Sequence, residues 1–210
     1  MCKITSACFF LLLAALLPAG TVSFQEGVDG YDQQVDLCIS PSGGIWTMDV
    51  RLVMDASPRY QTLIRFDHIF GSGSNQIPPG AEILGAVMKL KTGNRVSTSS
   101  GTTNDIGIYR VDVPWTEASR WGDFSTLNDT VGAKAVSTPI GTYTAIITND
   151  ETTLFDVTAA VRAWQSGSAA NNGVLFVNDG SDGCDFWSDA SPFVEERPIL
   201  EVQYVIPPAM

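Results

Sequence analysis

Histidine is almost missing from this chain: His68 is the only one among 210 residues. One imidazole cannot build a histidine-based zinc centre, so zinc is excluded in practice. Any Ser-His-Asp arrangement would have to run through His68, and no G-x-S-x-G elbow accompanies it. His68 therefore reads as a strand-end or turn residue. Basic residues are scarce as well, 12 Lys and Arg against 23 Asp and Glu, for a net charge of −11. Such a surface repels nucleic acid and anionic lipid, because both bind through Lys and Arg. Beyond residue 20 there is no apolar run near the length of about 20 residues that a spanning helix needs. Internal repeats, charge blocks and long low-complexity linkers are also absent.

What stands at the N-terminus is a secretion signal by pattern. Lys3 supplies the positive start, residues 9–17 (FFLLLAALL) a short apolar core, and Gly20, Thr21 and Ser23 the small residues after it. Cleavage is expected near Ser23, with Ala19 or Gly20 nearly as good. The mature chain, 24–210, is then one domain with a full core and no membrane segment, and a monomer is expected. Loss of Lys3 makes its charge one unit more negative. Cys2 and Cys8 leave with the leader, so Cys38 and Cys184 remain. An even pair outside the cell points to one disulfide, and two buried free thiols are the alternative.

The mature sequence breaks into short apolar runs between Gly, Pro, Ser and Asn clusters. Strands are expected near 35–40, 48–54, 62–67, 83–92, 106–113, 142–148, 152–156, 174–178, 184–188 and 199–205. Only one stretch has helical spacing. In residues 155–176 (FDVTAAVRAWQSGSAANNGVLF), Val157, Val161 and Trp164 fall on one helical face. Asp156 and Thr158 offer capping oxygens, and Gly167 and Gly173 bracket a polar turn. The expectation is an all-β fold: an antiparallel two-sheet β-sandwich, jelly-roll-like, with one short helix over Thr158–Gln165. Residues 94–105 and 122–139 read as long loops.

Several phrases carry a resemblance. Leu63-Ile64-Arg65-Phe66-Asp67, the strand 81–90, Ile108-Tyr109-Arg110-Val111 ahead of Trp115-Thr116-Glu117, the segment 155–174, and Arg197-Pro198-Ile199-Leu200-Glu201-Val202 follow one another in order. Together they resemble the secreted DNRLRE domains grouped with carbohydrate-binding module family 96, over residues 36–205. The resemblance implies a β-sandwich of secreted, mostly bacterial proteins. Its members often accompany polysaccharide-degrading enzymes, and some bind acidic polysaccharide such as alginate. Two departures stand out. Cys38 replaces part of an extended first-strand phrase, and Phe186-Trp187-Ser188-Asp189-Ala190 lacks the usual Glu. Because terminal strands of a jelly roll can lie side by side, a Cys38–Cys184 bridge is compatible with the implied fold.

Arg65 and Asp67 lie two apart on a strand, hence on one face, and read as a structural ion pair. Arg197 reads the same way. Asp179, Asp182 and Asp185 form an oxygen-rich loop that suits tight turns, with a structural calcium ion as the alternative. Trp46, Trp121 and Trp187 stand in or beside polar turns, as do Tyr31 and Tyr60. Exposed rings there would stack on sugars, while half-burial of the indole is the plainer reading. Arg51 and Arg59 are the clustered cations near Trp46. The expected function is non-catalytic binding of an extracellular polysaccharide. A structural or surface-matrix sandwich without a sugar site is the alternative, and a small secreted hydrolase or lyase the third reading.

Overall fold

The computed structural model describes residues 19–41, 50–57, 59–93, 105–124, 139–143, 147–178, 180 and 182–208. Its strands are β1 (Ala19–Gln25), β2 (Gln34–Ile39), β3 (Arg51–Ala56), β4 (Arg59–Phe66), β5 (Glu82–Lys91), β6 (Ile106–Arg110), β7 (Gly141–Tyr143), β8 (Thr152–Asp156), β9 (Val174–Asn178), β10 (Cys184–Trp187) and β11 (Ile199–Val205). Helices are α1 (Trp121–Phe124) and α2 (Thr158–Gln165), with a 3-10 turn at Val194–Glu196.

The chain is an antiparallel two-sheet β-sandwich. One sheet runs β1-β11-β5-β8, and the other β10-β3-β4-β9-β6-β7 with β2 also on β4. The first and last strands pair along their whole length, from Ala19 opposite Val205 to Gln25 opposite Ile199. Strand β3 meets β4 only at Asp55 and Ala56 and runs beside β10 along Arg51–Met54. An isolated bridge from Phe186 of β10 to Thr92, just past the end of β5, links the two sheets there.

Alternation decides which side chains fill the core. Ile64 and Phe66 of β4, Val174 and Phe176 of β9, and Met88, Leu90, Phe155, Leu200 and Val202 meet between the sheets. Phe155 packs edge-on against Phe176 and Phe186, with ring centroids 5.1 and 5.9 Å away. Residues of opposite parity build a second cluster on the outer face: Leu37, Ile39, Leu63, Leu175 and Val177, covered by Trp115, Trp121 and Phe124. Burial on both faces explains why Val174–Asn178 reads as an unbroken apolar run and not an alternating one.

Helix α2 occupies its expected span and buries Val161 and Trp164, with Val157 at its N-cap. No side chain caps Val157. Instead Asp156 Oδ1 accepts the Thr158 N–H at 2.9 Å. Thr158 Oγ1 accepts the Ala86 N–H, and the Arg162 guanidinium donates to the carbonyls of Ile83 and Leu84. Those acceptors flank a β-bulge, where Gln203 faces Gly85 but Tyr204 faces Ile83. The helix thus satisfies backbone groups that the bulge frees from the ladder.

Two features go beyond the sequence reading, and one expectation, the disulfide, is corrected. Strand β1 covers residues 19–23, which sequence patterning assigned to the leader. A second helix, α1, opens the segment expected to be loop. Cys38 and Cys184 are free, buried thiols and not a disulfide. Each thiol is taken up by β3: Cys38 Sγ lies 3.6 Å from the Val53 carbonyl, while Cys184 sits opposite Met54 across the β3–β10 ladder.

Candidate functional site

The residues expected to bind a sugar do not assemble. Trp121 is 8% exposed within the outer-face cluster, and Trp187 is 2% exposed on β10. Neither ring offers a face to a ligand in this conformation, which corrects both assignments. Trp46 lies outside the described residues. Arg51 pairs with Asp185 at 3.7 Å from the far end of β3, whereas Arg59 and Tyr60 sit at the β3–β4 turn. Arg59 faces Ala56, five residues from Arg51, so about 16 Å of strand separates the two cations and they form no common patch. Asp179 lies outside the described residues. In the same loop Asn178 donates to the Asp182 carbonyl at 2.8 Å and accepts the Gly180 N–H at 2.9 Å, closing a turn. Among the described residues no three acidic, His or Cys side chains converge as a metal site.

The phrases that carry the family resemblance converge elsewhere, on structure. Arg65 Nε donates to both oxygens of Asp67, at 2.8 and 3.0 Å, and Nη1 donates to the Trp115 carbonyl. The guanidinium also lies 4.8 Å from the Trp115 ring centre. Trp115 Nε1 donates to the Asn172 carbonyl at 2.7 Å, and Asn171 Nδ2 to the Phe66 carbonyl at 2.7 Å. One knot thus joins β4, the 112–120 loop and the turn before β9. Arg197 likewise holds carbonyls of Ser191 and Glu26. Both arginines have the structural role their sequence context predicts.

A polar cleft of about 180 Å³ opens where the β1–β2 loop meets the segment after β4. Its floor is Tyr31, whose ring packs on Phe24 and Phe66 and whose hydroxyl donates to the Gln33 and Asp67 carbonyls. Burial, followed by the charges of Asp67, Glu26 and Asp32, pushes the Tyr31 phenol well above its ordinary pKa, so it stays a neutral donor. Exposed Asp29, Asp32, His68 and Asn75 form the rim, with half-buried Gln33 and Gln76 between them. Gln33 Nε2 donates to Asp32 Oδ1 at 2.7 Å, Asn75 Nδ2 to the Asp29 carbonyl at 3.0 Å, and Gln76 Nε2 to the His68 carbonyl at 2.7 Å. Asp29 and His68 hold left-handed backbone, φ 50° and 54°, on opposite walls. Such conformations cost of order 1–3 kcal/mol each and need a structure that enforces them. Here the amide bonds of Asn75 and Gln76 do so. Sequence reading found Tyr31 and His68 but not the cleft, because two loops about 40 residues apart build it.

Two larger hollows, each about 250 Å³, offer less chemistry. The one beside Phe70, Ile77 and Pro78 has a single side-chain amide, Gln165, already spent on the Ala81 carbonyl. The one beside Tyr143 and Asp156 borders residues 144–146, outside the described set. The outer face of the β1-β11-β5-β8 sheet presents Gln25, Ile199, Lys89 and Leu154 in one row and Ser23, Glu201, Val87 and Asp156 in the next. Neither row holds an aromatic ring for a flat glycan.

Behind the cleft lies a buried carboxylate seam. Asp36 accepts the Asp189 N–H at 2.8 Å and the Gln34 amide at 3.2 Å, and so ties β2 to the turn between β10 and β11. Burial, followed by the charge of Asp189, pushes Asp36 up to about 8. Asp189 rises to about 6 through burial and the charges of Glu26 and Glu117, with Arg197 opposing. Gln34 is 6% exposed, and its Oε1 has no hydrogen-bond partner among the described residues. Asp36 is too enclosed to meet a polymer, so this seam reads as part of the fold's interior.

No protein-family model matches the chain, and no curated protein matches it.

Proposed function

We propose that this protein is a secreted, non-catalytic carbohydrate-binding sandwich whose ligand site is the polar cleft at Asp32, Gln33, His68 and Asn75. The observation that carries this reading is the cleft itself. It is a small concavity with carboxylate, amide and imidazole groups converging over an aromatic floor, the mix that fixes hydroxyl-rich ligands. The ordered phrases that resemble the DNRLRE domains, and the N-terminal signal pattern, support the same class. A volume of about 180 Å³ is small beside pockets for drug-sized molecules, which suits one ring of a longer chain. The sole histidine supports the non-catalytic half of the proposal. His68 stands on the rim, while the neighbouring Asp67 carboxylate is committed to Arg65.

The test is affinity electrophoresis of the mature chain against a panel of neutral, acidic and amine-bearing polysaccharides, with Gln33→Ala and Asp32→Ala as cleft variants. Loss of one hydrogen bond is worth about 0.5–1.5 kcal/mol, so each variant is expected to weaken retention several-fold without releasing reducing ends. No retention on any polysaccharide would sink the proposal. A specific observation favours the second reading, a surface-matrix sandwich without a sugar site: Trp115, Trp121, Trp164 and Trp187 are all buried. That reading takes the lead if the panel fails.

A further inference from the structure

We infer that the cleft selects glycans bearing a protonated amine over glycans bearing a carboxylate. This rests on the cleft being the sugar site, and it concerns which sugars enter. The argument is one of unbalanced charge. Several carboxylates elsewhere meet a cation: Asp67 pairs with Arg65, Glu201 with Lys89, Asp150 with Lys91, Asp112 with Arg110 and Asp185 with Arg51. Asp29 and Asp32 have no cation partner among the described residues, and no Lys or Arg lines the cleft between them. Asp32 accepts only the neutral Gln33 amide.

The wall behind adds to the same sign. Asp67, Glu26 and Asp32 all act on the Tyr31 phenol at the floor, Asp67 with Arg65 bound to it, while Asp29 and Asp32 line the concavity itself. A cleft of one sign with low-dielectric walls focuses its field outward and concentrates the opposite charge. An ammonium on a sugar ring brings three N–H donors to a rim rich in acceptors. Gln33 and Asn75 then remain for the ring hydroxyls. A uronate would instead set its carboxylate against Asp29 and Asp32 with no cation to bridge them. The negative net charge of the whole chain works in the same direction at longer range.

The test uses the mature full-length chain at mildly acidic pH, where glucosamine is protonated. Fully deacetylated chitosan oligosaccharides, their N-acetylated counterparts and alginate oligosaccharides are titrated by calorimetry at low and high salt. Asp29→Asn, Asp32→Asn and Gln33→Ala are titrated in parallel, with circular dichroism confirming their fold. The expected result is tightest binding of the deacetylated oligomer, weakening as salt rises. Asp29→Asn and Asp32→Asn should each weaken it about two- to fivefold, as exposed ion pairs do, and by more than either weakens the N-acetylated oligomer. Equal binding of both chitin-derived oligomers, or tighter binding of alginate, overturns the inference. If Gln33→Ala still weakens that binding, the cleft remains the sugar site. If no oligosaccharide binds, or Gln33→Ala changes nothing, the site assignment falls and the inference with it.

Discussion

Gly173 shows how a single residue can be fixed by its surroundings. Its φ is 74°, and a Cβ there would lie 2.3 Å from the Ile64 carbonyl and 2.8 Å from the Arg65 Cβ. Gly173→Ala therefore meets both a left-handed backbone and the β4 main chain. We expect it to lose more than about 1 kcal/mol in urea unfolding, and an unchanged midpoint would refute the account. The thiols make a second residue-scale prediction. Burial pushes Cys38 up to about 12 and also raises Cys184, so neither is a ready thiolate. In the folded chain both should resist a thiol reagent in native buffer and react together on denaturation. A native mass showing them bridged would contradict this arrangement. At this scale the sequence was readable where chemistry is local. Arg65 and Asp67 two apart on a strand form the expected ion pair. It misled where a polar neighbour masked an inward ring: Trp121 precedes Gly122 and Asp123, yet its indole closes the outer cluster. Strand parity and the loop that folds over the sheet decide that burial, and neither is written beside the residue.

Among the elements, β8, α2, β9 and β11 have the ends their sequence patterns predict, because each begins and ends at a clear change of polarity or turn chemistry. The elements that were missed lack such signals. Strand β1 is built from small residues that also resemble a signal-cleavage region, and α1 is a single turn. Strand β2 was placed within one residue, but its inward face could not be foreseen: Gln34, Asp36 and Ser40 are buried polar groups. Asp36 then makes pH an element-scale variable. Its carboxyl titrates near the ordinary value when unfolded and at about 8 when folded, so the folded state holds the proton more tightly. Its contribution to stability is complete below the unfolded pKa and is lost as pH rises through about 8. Glu26, Glu117 and Asp189 face the same seam, so a new charge on Asp36 meets like charges, while Arg197 acts in the opposite sense on Asp189. Asp36→Asn keeps an acceptor for the Asp189 N–H and supplies a donor that Gln34 Oε1 lacks. The variant should therefore lose less stability between mildly acidic and alkaline pH than the wild type. We expect it to exceed the wild type by about 1–3 kcal/mol at the alkaline end. Parallel curves across that range would refute the role given to Asp36.

For the molecule as a whole, the sandwich closes through its first strand. Strand β1 covers the free edge of β11 with seven register pairs and places Phe24, 1% exposed, in the core beside Tyr31. Gly20 lies under the Tyr204 ring, where a Cβ would come within 2.6 Å of it. Residues 19–23 thus have a packing role that a cleavage site near Ser23 would abolish. Such a cut would leave Phe24 and Gln25 as the only paired residues and would bare most of the β11 edge. A sheet edge left open in this way invites association with another chain. Two forms of the chain separate the possibilities, one beginning at Ala19 and one at Phe24. We expect the longer form to be monomeric and the more stable in urea, and the shorter to lose stability and self-associate on a sizing column. If the leader is removed, the processed chain should then start at or before Ala19, which intact mass measurement reads directly. Equal stability of the two forms would show that β1 is dispensable, and the expected start near Ser23 would stand again.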